Sequence, residues 1–267
     1  MPDFTYEEKR DIQREELNIL REFKALCDRH GLSYYIVAGT LLGAARHKGF
    51  IPWDDDADVA MPRRDYEKLA KIAGRELPAN MVYQSEKTER ECPFGFAKIR
   101  NTDTAVSEKY LKNAKMSQGV YIDIFPLDKC PASDRRATRY FKLTNMCYCA
   151  MLSKIDKTFK HGYEKGSARA AFKLIRLMPL GMIKSLRRSI RRYYSLLSRG
   201  KLLATTSGSY GYPRESYSAE WLGEGVLLPF EGELLRAPKE WDKVLTHMYG
   251  DYMTPPAENE RGGHLEK

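Results

Sequence analysis

The sequence predicts an α+β fold of short strands and flanking helices, interrupted by a basic helical insertion. Three observations lead there. Short β-rich runs alternate with amphipathic helical patterns through the first half of the chain. Residues 134–201 then change character, with eighteen Lys and Arg against three acidic residues, Asp134, Asp156 and Glu164. After them a hairpin and a helix return. The chain of 267 residues divides accordingly into a core (1–133), an insertion (134–205) and a C-terminal segment that completes the core (206–267).

The elements follow in order. Residues 5–30 carry Ile12, Glu16, Ile19, Leu20, Phe23 and Leu26 at helical spacing, and Gly31 stops the helix. Ser33 to Ala38 reads as a strand, and Thr40 to His47 as a short helix. An acidic run, Asp54-Asp55-Asp56-Ala57-Asp58, leads into a strand at Val59–Met61. Asp65 to Leu77 is amphipathic, with Tyr66, Leu69, Ala70 and Ala73 on one face. Phe94–Arg100 and Val120–Phe125 are further strands. The basic segment is helix-prone and broken at Gly162, Gly166 and Pro179. Tyr210 to Glu224 reads as loop, Val226 to Ala237 as a hairpin about Glu231-Gly232, and Pro238 to Tyr249 as a helix closed by Gly250.

Composition narrows the function. The net charge of +9 points to an anionic partner. Five cysteines at irregular spacings, with no CxxC pair, argue against structural zinc and for buried free thiols in a reducing cytosol. The opening residues lack a basic segment followed by an apolar run, so no secretory signal is expected. No stretch approaches the ~20 apolar residues needed to span a bilayer. The expected location is the cytoplasm, peripheral at the inner face of the cell membrane.

The acidic run is the candidate reaction centre. In extended chain Asp56 and Asp58 share one face, where two carboxylates repel unless a cation lies between them. Oxygen donors alone select a hard divalent ion, Mg²⁺ or Mn²⁺, whose other positions phosphate oxygens fill. EF-hand spacing is absent. Upstream, Gly39-Thr40 follows a strand and opens a helix, which is either an ordinary turn with a Thr cap or a phosphate cradle of free N–H groups. Asp123 stands mid-strand among apolar residues, where an unpaired charge is costly. Asp128 follows Pro126 and reads as a turn or cap residue.

Strand, Gly-Thr, short helix and Asp-x-Asp on the next strand resemble the nucleotidyltransferase fold, which implies a mixed β-sheet flanked by helices. The longer stretch from Ala38-Gly-Thr-Leu-Leu-Gly to Pro52-Trp-Asp-Asp-Asp-Ala-Asp58 resembles the LicD family. So do Phe96-Ala-Lys-Ile-Arg-Asn-Thr-Asp-Thr104, Tyr121-Ile-Asp-Ile-Phe-Pro-Leu-Asp128 and Tyr249-Gly-Asp-Tyr-Met-Thr-Pro-Pro256. The likeness covers about 15–130 and 217–264, and leaves the basic middle uncovered. Ala57 departs from it, since the family carries a β-branched residue there. The resemblance implies a phosphotransferase that moves phosphocholine from CDP-choline, or another CDP-linked head group, to a sugar hydroxyl of a lipid-linked acceptor such as teichoic acid or lipopolysaccharide, with CMP leaving. Asp56, Asp58 and Asp123 are then the expected metal ligands. Asp54 is a supporting or base residue. Gly39, Thr40, Arg46, Lys98, Arg100 and His264 are the expected donor contacts. Trp53 either packs or stacks on the base. Tyr210, Tyr212, Tyr217 and Trp221 either box a quaternary ammonium or pack as loop.

In the basic middle, Ile183, Leu186, Ile190, Tyr193 and Leu197 recur at helical steps among Lys184, Arg187, Arg188, Arg191, Arg192 and Arg199. This suits a helix on an anionic leaflet or one packed on the domain. No nucleic-acid module accompanies the charge. Two other functions share these carboxylates: a nucleotidyltransferase that uses a nucleoside triphosphate and releases pyrophosphate, and a non-catalytic membrane adaptor.

Overall fold

The structure is a computed structural model that describes residues 4–108, 110–163 and 165–257, and the backbone of 265–266. Helix α1 (Tyr6–His30) starts on a capping box, in which Thr5 Oγ1 accepts from the Glu8 N–H while the Glu8 carboxylate accepts from the Thr5 N–H. It ends at Gly31 in the left-handed region. Then come β1 (Tyr35–Ile36), α2 (Ala38–His47), β2 (Asp58–Pro62), α3 (Arg63–Glu76), β3 (Met81–Gln84), β4 (Ala97–Asn101), β5 (Ser107–Glu108) and β6 (Tyr121–Lys129). The insertion supplies α4 (Asp134–Ile155), α5 (Arg169–Leu177) and α6 (Leu180–Leu197). The chain finishes with β7 (Leu202–Ala204), β8 (Ser216–Ser218), α7 (Ala219–Leu222), the hairpin β9 (Val226–Phe230) and β10 (Glu233–Ala237), α8 (Trp241–Tyr249) and β11 (Leu265–Glu266). The fold is α+β.

The main sheet runs β1-β2-β6-β4-β3, with β7 on β6 beyond the end of β4 and β8 on β7. Strand β2 pairs parallel with β6, and β4 pairs antiparallel with β6, so the sheet is mixed. Val59, Ala60 and Met61, and Ile122 and Ile124 beside them, are wholly buried, as central strands covered on both faces require. Helices α1 and α3 pack against this sheet and against each other. A partly buried ion pair ties α3 to β6: Arg63 bonds Asp128 through Nε at 2.8 Å and Nη2 at 2.5 Å.

Several sequence expectations change. The Ser33–Ala38 run yields only a two-residue strand, because Ala38 already begins α2. Strand β6 continues through Pro126 to Lys129, which makes Asp128 a strand residue rather than a cap. Pro126 is tolerated because β4 pairs only with Tyr121–Ile124 and β7 with Asp128–Lys129; in the interval no N–H is called for. Residues 210–224 hold β8 and α7 as well as loop. Strand β7, inside the span assigned to the insertion, joins the core sheet. All five cysteines are buried free thiols.

The insertion is attached through its own cations. Lys184 Nζ donates to the carbonyls of Glu86, Glu89 and Arg90 at 2.8–3.0 Å. Arg187 donates to the carbonyls of Pro93 and Phe94 and pairs with Glu86. The α6 stripe with leaflet-binding character faces inward at its start. Ile183 is buried, and Leu186 and Ile190 pack on a core with Met146, Cys147 and Phe172. Tyr193 and Leu197 are exposed.

Candidate active site

Register builds the centre of the site. Asp58 is the Cα partner of Asp123 across the β2–β6 pair, and Asp123 is the partner of Lys98 across β6–β4. Three charged residues therefore stand in a row on neighbouring strands, about 4.8 Å apart. Asp56 and Asp54 lie just upstream of β2. Their segment is held by Gln13, whose Nε2 donates to the Asp54 carbonyl at 2.9 Å and to that of Ile51 at 3.1 Å. Asp54, Asp56, Asp58, Asp123 and Lys98 all line one cavity of about 1310 Å³. Asp55 is buried and does not line it.

The carboxylates crowd one another. Burial pushes Asp58 well above the usual range, and the charges of Asp56, Asp123 and Asp54 push it further. Asp54 is raised by burial and then by Asp56, to which its carboxyl group is hydrogen-bonded, and such a bond needs a shared proton. Burial lifts Asp123 to about 6 against the pull of Lys98. Beneath the run, Glu16 on α1 is buried, carries an Oε2 without a hydrogen-bond partner among the described residues, and is raised by burial and then by Asp56. A set of oxygen donors that retains protons for want of positive charge has the chemistry a hard divalent cation satisfies. Among the described residues, no three His, Cys, Asp or Glu side chains form a preformed metal cage. Asp123 Oδ1 instead accepts from Lys98 Nζ at 2.6 Å.

Lys98 is enclosed. Its ammonium lies 3.5 Å from the Tyr121 ring centroid and 4.6 Å from that of Phe94, and pairs with Glu108 at 3.0 Å. Arg100 shares the face of β4 with Lys98, but its guanidinium is wholly buried and donates to Gln84, the Gly119 carbonyl and Glu108. It holds Glu108 rather than lining the cavity. Burial alone would raise Glu108; Lys98 and Arg100 outweigh it and hold its carboxyl below the usual range.

The Gly39-Thr40 turn is also used structurally. Helix α2 begins at Ala38, which takes a φ of 46°, a costly value for a residue with a Cβ. A Cβ at Gly39 would stand 2.6 Å from Asp54 Oδ2, so this glycine makes room for the acidic run. Thr40 is buried and is not the helix cap; its Oγ1 accepts from the Asp58 N–H at 2.7 Å and fixes the start of β2. Arg46 lines the cavity, reaches the Tyr252 carbonyl at 2.9 Å, and lies 5.9 Å from the Trp53 ring centroid. Trp53 lines the cavity too. His264 falls outside the described residues.

Other walls come from segments that the motifs did not single out. Thr205 to Gly211 lines the cavity, as do Phe141, Lys142 and Tyr148 of α4. Glu215 accepts from the Tyr210 and Gly211 N–H groups, and packs where a Cβ on Gly208 would collide with it. Tyr210, Tyr212 and Tyr217 line the cavity, whereas Trp221 packs on His247. Tyr249 meets Tyr210 edge-on at 5.4 Å. The hydroxyl- and glycine-rich run Thr205-Thr-Ser-Gly-Ser209 was a usable signal; a lone Glu108 between Ser107 and Lys109 was not.

Residues 31–142 match the family model described as LicD/FKTN/FKRP, nucleotidyltransferase domain. Over 94% of both chains the protein is 30% identical to the lipopolysaccharide cholinephosphotransferase LicD of Haemophilus influenzae. The chain belongs to the LicD family. It is a phosphotransferase of that family. It is also 32% identical to human ribitol 5-phosphate transferase FKRP, over 35% of this chain and 20% of that one. An uncharacterized protein of Rickettsia prowazekii, RP689, matches 20% of each chain at 39% identity. Among the described residues no helix is long and apolar enough to cross a membrane.

Proposed function

We propose that this LicD-family phosphotransferase moves phosphocholine from CDP-choline to a sugar hydroxyl of a lipid-linked cell-surface glycan precursor, of the teichoic acid or lipopolysaccharide kind, at an anionic membrane surface, and releases CMP. The observation that carries the reading is the row Asp58, Asp123 and Lys98 across three strands, opening with Asp54 and Asp56 onto one cavity. The full-length likeness to a lipopolysaccharide cholinephosphotransferase supports the class of group transferred.

The acceptor oxygen attacks the distal phosphorus of the donor pyrophosphate. The bond from that phosphorus to the bridging oxygen breaks, and CMP departs with its electron pair. Asp54, which lines the cavity beside Asp56, takes the hydroxyl proton as base once the acidic centre has lost its own protons. Lys98 and Arg46 on the cavity wall offset pyrophosphate charge. Mg²⁺ or Mn²⁺, held by Asp56, Asp58 and Asp123, would supply Lewis-acid stabilisation of the leaving phosphate. Tyr210, Tyr212 and Tyr217 offer ring faces suited to a trimethylammonium group.

The test is a screen of CDP-linked donors with a glycan acceptor, reading CMP release with divalent cation and with chelator. CMP from CDP-choline, lost in Asp56→Asn/Asp58→Asn with the fold retained, is the expected result. Pyrophosphate released from a nucleoside triphosphate would replace this reading with nucleotidyl transfer. Full function of the double variant would make the protein an adaptor.

A further inference from the structure

The basic insertion has two kinds of cation. Lys184, Arg187 and Arg191 face inward, on carbonyls and carboxylates of the core. Among the described residues the opposite side of α6 has no such partners. Met182, Ser189, Tyr193 and Leu196 return to one side of the helix over about 21 Å. Of these, Met182 is 56%, Tyr193 58% and Leu196 84% exposed. At the preceding elbow, Leu174 and Leu177 of α5 are 64% and 80% exposed, although Phe172 and Ile175 of the same helix are buried. Lys173 and Arg176 flank the two leucines and Arg192 adjoins Tyr193, all three exposed. No acidic residue occurs between Arg169 and Leu197.

Leucine side chains left this open in a folded domain call for a partner. Cations interleaved with them, with no acidic residue in the same stretch of chain, select a partner that is apolar inside and negatively charged at its surface. A bilayer with anionic headgroups has both properties, and helices of this kind lie in its interface with leucine and tyrosine buried and Lys and Arg at the phosphates. We infer that the outer face of α5 and α6, centred on Leu174, Leu177, Met182 and Leu196, docks on an anionic phospholipid bilayer. The face differs from the α6 stripe suggested by the sequence, whose first half is internal. The inference rests on the reading above in that docking brings the cavity to a lipid-linked acceptor.

The experiment is flotation of the full-length protein with vesicles of phosphatidylcholine alone or mixed with phosphatidylglycerol. CMP release is measured in parallel on a water-soluble acceptor. The expected result is binding to the mixed vesicles only, weakened by salt. Lys173→Gln/Arg176→Gln removes two surface charges and should weaken binding about thirtyfold. Leu174→Ser/Leu177→Ser should abolish it. Both variants should melt as the wild type does and keep CMP release, since all four positions are exposed and none lines the cavity. Absence of binding to mixed vesicles, or equal binding by the variants, overturns the inference while leaving the transferase reading intact. So does a dimer in solution that the leucine variant dissociates, since a second copy would then be the occupant. Vesicle binding without CMP release would sink the transferase reading instead.

Discussion

Replacing Asp123 by Asn should make the protein more stable at neutral pH when no divalent cation is present. Asp123 is buried beside Asp58, and its carboxyl is raised from 3.8 to about 6. The folded state therefore holds the proton more tightly than the unfolded chain does. Stability contributed by the protonated group is full below pH 3.8, falls as pH rises towards 6, and stays lost above that. The loss corresponds to about 3 kcal/mol. Asn cannot ionise, yet its side-chain oxygen can still accept from Lys98. The variant should thus gain up to about 3 kcal/mol at pH 7.5 in chelator, roughly 6–12 °C in Tm for a chain of this size. The gain should vanish near pH 4, where wild-type Asp123 is protonated too. Thermal melts by circular dichroism at both pH values check this. Added Mg²⁺ should raise the wild-type Tm and leave that of the variant nearly unchanged. If Asp123→Asn melts below the wild type at pH 7.5 in chelator, the ion pair with Lys98 outweighs the crowding, and these carboxylates do not await a cation.

Three further substitutions probe the supports. Gly39→Ala places a Cβ against Asp54 and should cut CMP release at least about tenfold, with stability within about 1 kcal/mol because alanine favours the helix; unimpaired turnover would show that Asp54 needs no such room. Glu108→Gln leaves the buried Lys98 and Arg100 short of negative charge and should cost about 3–5 kcal/mol in urea denaturation, and a neutral result would contradict the buried network. Lys184→Met strips one donor from three carbonyls and should cost about 2–4 kcal/mol without changing vesicle partitioning, whereas a loss of partitioning would place Lys184 on the outer face.

What the sequence made legible was local. Asp56 and Asp58 both open onto the cavity, although β2 begins only at Asp58 and Asp56 precedes it, and helical spacing located α1, α3 and α6 within a few residues. Apolar neighbours marked Asp123 as a strand residue with something to neutralise. Register was not legible, because nothing in the order of residues states that Asp58 will stand opposite Asp123 and Asp123 opposite Lys98. The fate of Thr40 and Arg100 was hidden for a related reason. Both are polar residues in the right neighbourhood, and only packing reveals that Thr40 spends its hydroxyl on the Asp58 N–H and Arg100 its guanidinium on Glu108. The basic middle misled through its charge. A cation bonded to backbone carbonyls and a cation facing solvent look identical in a sequence, and α6 carries both.

That mixture bears on how the insertion relates to catalysis. Lys184 and Arg187 grip the carbonyls from Glu86 to Phe94, and this loop ends in the Phe94 ring that lies 4.6 Å from the Lys98 ammonium. Lys98 in turn holds Asp123. A continuous chain of contacts thus runs from α6 to a carboxylate of the reaction centre, while α4 of the same insertion contributes Phe141, Lys142 and Tyr148 to the cavity wall. The outer face of α6, which we assign to the bilayer, is one helix diameter from the inner face that positions the loop. Membrane contact and the geometry of the acidic centre are therefore carried by opposite sides of a single element. An insertion built only to bind lipid would need neither the inward cations nor the aromatic wall, and one built only as a wall would have no use for leucines left more than half exposed.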